Sequence, residues 1–257
     1  MIYELRNPAK AAPLFQKMND TTITSCLQGI MGTVFSTSEE HPVSAMAYLG
    51  DFCFLAGEPD EELCLFHPGF TSRDFLIYVP ENESWCRMIE HCFGTQATPV
   101  TRYALKKEGD IFDREMLAEQ VQRLDPSYTL TMIDKKLFEK CKAIPWCRDW
   151  VGNYPDYALY EKYGLGCVIL KDGEPVSGAS SYSGYRDGIE IEIVTKEEYR
   201  RQGLAHICGA KLILECCKRG LYPSWDAQNK WSLALSEKLG YHFDREYPAY
   251  EIRLQNQ

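Results

Sequence analysis

The chain has 257 residues, 45% of them hydrophobic and 25% charged, with a formal net charge of -9. That length and apolar content support a sizeable core in one or two domains and exclude a disordered chain. A sequence pI near 5.2 excludes a sequence-independent nucleic-acid binder, which needs a basic face, and no apolar run is long enough to cross a membrane. The 11 cysteines show no Cys-x-x-Cys pair and no zinc-type spacing, and no signal peptide precedes them. They are therefore expected to be reduced, mostly buried thiols of a cytoplasmic protein without a metal centre.

In the first half, Pro8 to Ile30 predicts a helix or two, Val43 to Ala56 a strand-like stretch interrupted by Gly50, and Phe75 to Val79 a short apolar strand. Asn82 predicts a helix N-cap, and Gly94 closes that helix. Arg123-Leu124-Asp125-Pro126-Ser127-Tyr128 has turn composition, which places a domain boundary there, with lobes 1–125 and 126–257.

Further on, Ile189, Ile191 and Ile193 alternate with Glu190 and Glu192, the period-2 pattern of a half-buried strand. Arg200-x-x-Gly203-x-Ala205 follows. Its small residues let the backbone approach a ligand, and the first N–H groups of the next helix, with the helix dipole, suit a phosphate. From Leu204 to Arg219 only Lys211, Glu215, Lys218 and Arg219 form a polar stripe, so this helix is expected to lie buried against a sheet, ending at Gly220. Leu221 to Ala227 predicts a short strand. Asn229 predicts an N-cap for a helix whose apolar face is Trp231, Ala234, Leu235 and Leu239 and which closes at Gly240. Tyr241 to Arg253 holds strand-like residues around Pro248.

Strand, Arg-x-x-Gly-x-Ala turn, buried helix, strand, Asn-started helix ending Lys238-Leu239-Gly240-Tyr241, terminal strand: over roughly residues 128 to 253 this succession resembles the GNAT N-acetyltransferase superfamily. The resemblance implies an α/β (α+β) fold with a mixed central sheet flanked by helices. In such a fold two parallel strands splay at mid-sheet, and the pantetheine arm of acetyl-CoA lies between them. Ile193, Val194 and Thr195 would offer it backbone groups, and Arg200, Arg201, Gln202, Gly203, Leu204 and Ala205 would hold the pyrophosphate. Asn229 and Ser232 would face the cofactor from the second helix, a role for Asn229 that is compatible with a plain N-cap. More loosely, the two-lobed arrangement resembles the branch with zwittermicin-type self-resistance acetyltransferases, with the N-terminal lobe on the acceptor side. Asn82 through Gly94 echoes Asn229 through Gly240, either as a degenerate second GNAT-like copy or as a coincidence of two capped helices. The first half lacks an Arg-x-x-Gly-x-Gly/Ala turn and is not expected to bind CoA.

The activity implied is acetyl transfer from acetyl-CoA to an amine of a small molecule or peptide, with no nucleic acid, membrane or metal involved. An amine of pKa ~10.4 is mostly ammonium near neutrality, so freeing its lone pair costs roughly 4 to 5 kcal/mol and a base helps. Glu190 and Glu192 lie on the strand where the family keeps a carboxylate base; a solvated strand face is the other reading of each. The family's tyrosine acid, seven residues after the Asn, is Ser236 here, which is too short and too weak an acid. Tyr241 or a water is left to substitute. That missing tyrosine keeps open the alternative of a CoA-binding sensor without catalysis. The absence of Gly-x-x-x-x-Gly-Lys-Ser/Thr and of Gly-x-Gly-x-x-Gly counts against a nucleotide-phosphate enzyme.

Overall fold

A computed structural model describes residues 1–67 and 75–253. In chain order its elements are β1 (Tyr3–Glu4), α1 (Thr21–Leu27), β2 (Thr33–Ser36), β3 (Ser44–Leu49), β4 (Phe52–Gly57), α2 (Glu61–Leu65), β5 (Phe75–Pro80), α3 (Glu83–Phe93), β6 (Ala97–Leu105) and α4 (Arg114–Gln122). There follow β7 (Thr129–Met132), α5 (Lys135–Ala143), α6 (Tyr157–Tyr163), β8 (Gly166–Lys171), β9 (Glu174–Tyr185), β10 (Gly188–Thr195), α7 (Leu204–Arg219), β11 (Tyr222–Ser224), β12 (Asp226–Ala227), α8 (Lys230–Lys238) and β13 (Phe243–Arg253). Side-chain caps start most of the helices: Asp20, Asp60, Asn82, Asp113, Asp134, Asp156 and Asn229 each accept from first-turn amides.

By contact the chain divides into two units, one of Met1–Arg102 with the residues from Glu246 onward, the other of Tyr103–Arg245; β6 and β13 run from one unit into the other. In the first unit β1, β2, β3 and β4 pair antiparallel in that order, β4 and β5 pair parallel, and Tyr250–Arg253 of β13 lies antiparallel beside β5. In the second, β7, β8, β9 and β10 pair antiparallel and β10 and β11 pair parallel. Each unit is thus a mixed sheet with helices. In each, three antiparallel steps are followed by one parallel step. The Arg123–Tyr128 turn lies inside the second unit, between α4 and β7.

The core of the second unit is built on α7. Leu204, Cys208, Leu212, Ile213 and Cys216 are buried with Cys167, Ile189 and Ile191, and each leucine or isoleucine among them contributes roughly 1.5 to 3 kcal/mol by leaving water. Gly209 lets Ile193 and Leu239 close on the helix, since a Cβ there would meet Leu239 Cδ1 at 2.7 Å. The thin polar stripe is real: Lys211 and Glu215 pair at 2.7 Å. Gly220 ends the helix at φ 69°, a left-handed position that favours glycine. All 11 cysteines are free, nine of them buried. Among the described residues no helix is long and apolar enough to cross a membrane.

Three local expectations are corrected. Leu221 to Ala227 is two strands: β11 pairs with β10, whereas β12 pairs with Tyr103 and Ala104 of β6. Trp231 is not on the apolar face of α8 but 86% exposed, because it sits in the first turn, beyond the stretch that packs on the core. The strand at Gly188–Ile191 is buried throughout; further along the same sheet, Trp150 of the helical turn Pro145–Trp150 lies against Gly178, the partner of Val194, and Tyr160 bonds Ser180, the partner of Glu192, at 2.9 Å.

Candidate active site

The parallel pairing of β10 and β11 covers only Gly188–Glu190 against Tyr222–Ser224. After Ser224 the chain leaves for β12, while β10 runs on through Ile191 to Thr195, paired with β9 alone among the described residues. The two strands therefore splay at Glu190 and Ser224. Beyond that point the β11 side of Ile193, Val194 and Thr195 is a strand edge, and these three residues are half-buried. Their other edge pairs with Ala179, Gly178 and Ser177, and the Thr195 hydroxyl bonds Ser177 at 2.7 Å.

The turn after β10 is shaped for close backbone approach. Arg201 at φ 62° and Gly203 at φ 80° are both left-handed, and Gly203 is the N-cap of α7 with no side-chain cap. The amides of Leu204, Ala205 and His206 thus open the helix without intrahelical acceptors. A Cβ on Gly203 would meet nothing within 4 Å. Arg200 reaches back to the Thr195 carbonyl at 3.3 Å, and Gln202 is held by Tyr128 at 3.1 Å, while Arg201 is exposed. On α8, Asn229 caps the helix by accepting from the Trp231 and Ser232 amides at 3.0 Å each, and the Ser232 hydroxyl accepts from Trp225 Nε1 at 3.2 Å. The pieces fit a pyrophosphate-bearing chain: uncapped amides, open space before them and a free strand edge alongside. Among the described residues no group of three His, Cys, Asp or Glu side chains is placed to hold a metal.

Glu190 sits at the splay point, 6% exposed, so the solvated-face reading does not hold for it; Glu192 is half-buried. A β-bulge between Glu190 and Ile191 shifts the register to β9 there. Three phenols feel the Glu190 carboxylate. Burial first, then the carboxylate, pushes Tyr185 well above its ordinary range; burial likewise raises Tyr222 and Tyr241, with Glu190 adding to both. Tyr241 gives its hydroxyl to the Pro223 carbonyl at 2.6 Å. Ser236, at the position of the family's tyrosine, is buried and donates to Leu233 O of its own helix at 2.7 Å. Sequence reasoning missed Ser183 and Ser224, which pair with Glu190 across the sheet, and Lys107, which follows β6 and donates to Ser224 at 2.6 Å.

A sequence model of the GNAT acetyltransferase family matches residues 12–250. The chain belongs to the GNAT acetyltransferase family. An uncharacterized N-acetyltransferase of Bacillus subtilis (strain 168), YdfB, is 35% identical over 209 residues, which are 77% of this chain and 71% of that protein. The crystal structure of a GCN5-related N-acetyltransferase-like protein from Streptococcus suis 89/1591 superposes with a TM-score of 0.90 at 45% identity, over 96% of this chain and 98% of that one. A GCN5-related N-acetyltransferase from Kribbella flavida shares the fold, at a TM-score of 0.54 and 16% identity over 97% of this chain and 96% of its own.

This GNAT acetyltransferase carries in its first unit a second parallel pair, β4 and β5, and there the equivalent features are closed. The pairing continues from Phe52↔Ile77 to Leu55↔Pro80, and the Glu81 amide then donates to Leu55 O at 2.9 Å. The Glu81 carboxylate accepts from the Gly57 amide at 3.0 Å, and Trp85 Nε1 donates to the Gly57 carbonyl at 2.9 Å. The helix that follows β4 starts with Asp60, whose own side chain accepts from Leu63 N at 2.7 Å. At that position the backbone groups of Leu55 and Gly57 are bonded and the Leu63 amide is capped.

Proposed function

We propose that this GNAT acetyltransferase transfers an acetyl group from acetyl-CoA to an amine of a small molecule or peptide, with the cofactor in the second unit. The splay of β10 from β11 beside the uncapped start of α7 carries this reading. Ile193, Val194 and Thr195 would bind the pantetheine arm. The turn from Arg200 to Ala205 would take the pyrophosphate, with Asn229 and Ser232 facing it from α8. Acetyl-CoA, when bound, supplies the acetyl group activated as a thioester. Glu190 is the proton acceptor in this reading: it stands at the splay point, while Glu192 is nearer the turn. Removing the proton from an ammonium of pKa ~10.4 near neutrality costs roughly 4 to 5 kcal/mol, which a carboxylate beside the amine offsets. Tyr185, Tyr222 and Tyr241, raised by burial, stay protonated near Glu190. For the departing thiol, with a pKa near 8.5, no dedicated acid is needed. Ser236 and Tyr241 both spend their hydroxyls on backbone carbonyls. We assign the first unit to the acceptor side, as a degenerate copy that holds no CoA.

The test is thiol release from acetyl-CoA against a panel of amines, with product mass measured. Acetylation of at least one amine, dependent on Glu190, supports the reading. Tight CoA binding with no amine acetylated favours the sensor, which the buried, internally bonded Ser236 would suit.

A further inference from the structure

Tyr128 ends the Arg123–Tyr128 turn and stands directly before β7, whose Thr129 pairs with Leu170 of β8. Its amide bonds the Asp125 carbonyl at 3.0 Å, and the Ser127 amide bonds Asp125 Oδ1 at 2.8 Å, so the turn fixes where the phenol starts. The ring is held by its neighbours. Lys171, at the end of β8, places Nζ 4.9 Å from the ring centroid and bonds the Ser127 carbonyl at 3.4 Å, and Tyr199 meets the ring edge-on with centroids 6.4 Å apart. Both tyrosines pack against the core built on α7.

The Tyr128 hydroxyl crosses to the turn after β10 and donates to Gln202 Oε1 at 3.1 Å, 74 residues along the chain. The same Gln202 side chain donates Nε2 to the Glu198 carbonyl at 3.4 Å. The entry to this turn is pinned by Lys196 N on the Val176 carbonyl at 2.9 Å and by Arg200 Nε on the Thr195 carbonyl at 3.3 Å. Its exit is α7. At the crest Gln202 stands between two left-handed residues, Arg201 at φ 62° and Gly203 at φ 80°.

Glycine takes a left-handed φ at no steric cost, but an L-residue such as Arg201 is disfavoured there by a factor of roughly 5 to 30 and keeps that shape only where its surroundings hold it. A hydrogen bond made in the ordered turn and exchanged for water elsewhere contributes a factor of roughly 3 to 10. The two factors are of similar size. The bond from Tyr128 therefore weighs directly on the fraction of chains whose crest is in place.

We infer that Tyr128 is a positioning residue for CoA: by donating to Gln202 it holds the Arg201–Gly203 crest in the shape that leaves the first amides of α7 open to the pyrophosphate. This rests on acetyl-CoA binding in the second unit. A ligand that needs the formed crest binds more weakly in proportion to the fraction of chains that lack it, whereas one that uses only the strand edge does not. The segment that reads in sequence as a linker thereby serves the cofactor turn.

Tyr128→Phe keeps the ring contacts and removes only the donor. Isothermal titration of the whole chain should show CoA affinity falling roughly three- to tenfold, while pantetheine, which has no pyrophosphate, binds as it does to wild type. With an amine that the wild-type chain acetylates, the KM for acetyl-CoA should rise by a similar factor and kcat should stay unchanged. Gln202→Leu should also weaken CoA, and adding Tyr128→Phe to it should weaken CoA no further, because the hydroxyl has then lost its acceptor. A CoA affinity unchanged in Tyr128→Phe, a loss shared equally by pantetheine, or a full second loss in the Gln202→Leu background overturns the role of Tyr128 and leaves the cofactor reading standing. A wild-type chain that binds no CoA overturns the cofactor reading itself, and this inference with it.

Discussion

Replacing Gly203 separates the backbone demand of the α7 turn from its phosphate role. Gly203 stands at φ 80°, and a Cβ there would meet nothing within 4 Å. The cost of Gly203→Ala is therefore conformational, about 1 to 2 kcal/mol for an L-residue in the left-handed region. At 2 to 4 °C per kcal/mol for a chain of this size, that is a fall in Tm of about 2 to 8 °C. Gly203→Glu adds a carboxylate in front of the Leu204, Ala205 and His206 amides, where it takes the place of the pyrophosphate. A charge at a helix start is worth up to about 2 kcal/mol in favourable geometry, so CoA affinity should fall roughly ten- to thirty-fold beyond any effect of the alanine. Isothermal titration with CoA and with pantetheine, which has no pyrophosphate, makes the comparison. CoA should lose affinity for Gly203→Glu while pantetheine loses little. A folded Gly203→Glu protein that binds CoA like wild type, or that weakens both ligands equally, refutes the placement of the pyrophosphate.

Glu190→Gln should lower turnover roughly 10²- to 10⁴-fold near neutral pH with CoA affinity barely changed, and part of the rate should return as the amine deprotonates at higher pH; wild-type pH–rate profiles in this variant would remove Glu190 from the chemistry. Titration of the wild-type chain with CoA should give one site per chain, because Glu81, Trp85 and Asp60 close the corresponding features of the first unit; a second site lost on Trp85→Phe would contradict that. Burial pushes His206 below its ordinary value of 6.5. The unfolded chain then takes up a proton at higher pH than the fold does, so stability is full above about 6.5 and is lost as pH falls from there to the folded value. Urea unfolding on both sides of pH ~6.5 should show a steeper acid loss for wild type than for His206→Gln, and parallel losses would count against it.

The parts of the site that the sequence made legible are those set by local chemistry. Gly203, Gly220 and Asn229 could be placed because a left-handed φ and an unfilled first-turn amide each demand a particular residue within a few positions. The helix from Leu204 to Arg219 could be placed because its polar stripe is one turn-spacing wide. What stayed hidden depends on partners distant in the chain. Alternation shows which way Glu190 points but not what lies over it, so its burial to 6% exposure was out of reach. Leu221 to Ala227 reads as one strand because nothing local records that Ser224 pairs with Glu190 while Asp226 pairs with Ala104. Trp231 fits the apolar period of α8 by spacing alone, and spacing does not say where the packed stretch begins.

The two units carry that lesson further. Their sheets share the same succession of pairing senses, and Asn82 and Asn229 each cap the helix after the parallel partner by accepting from two amides. That agreement of topology and cap favours the duplicated-copy proposal over a coincidence of two caps. Yet the same topology leaves one turn open and fills the other. Between β10 and α7 the N-cap is a glycine with no side chain, and the strand edge is free. After β4 the N-cap is Asp60, which bonds its own helix, and Glu81 and Trp85 occupy the backbone groups of Gly57. On the proposed reading, a few polar side chains within hydrogen-bond reach of backbone groups separate a ligand cradle from a closed piece of scaffold. Function in this chain is therefore to be read at the level of caps and strand edges, one step finer than the fold.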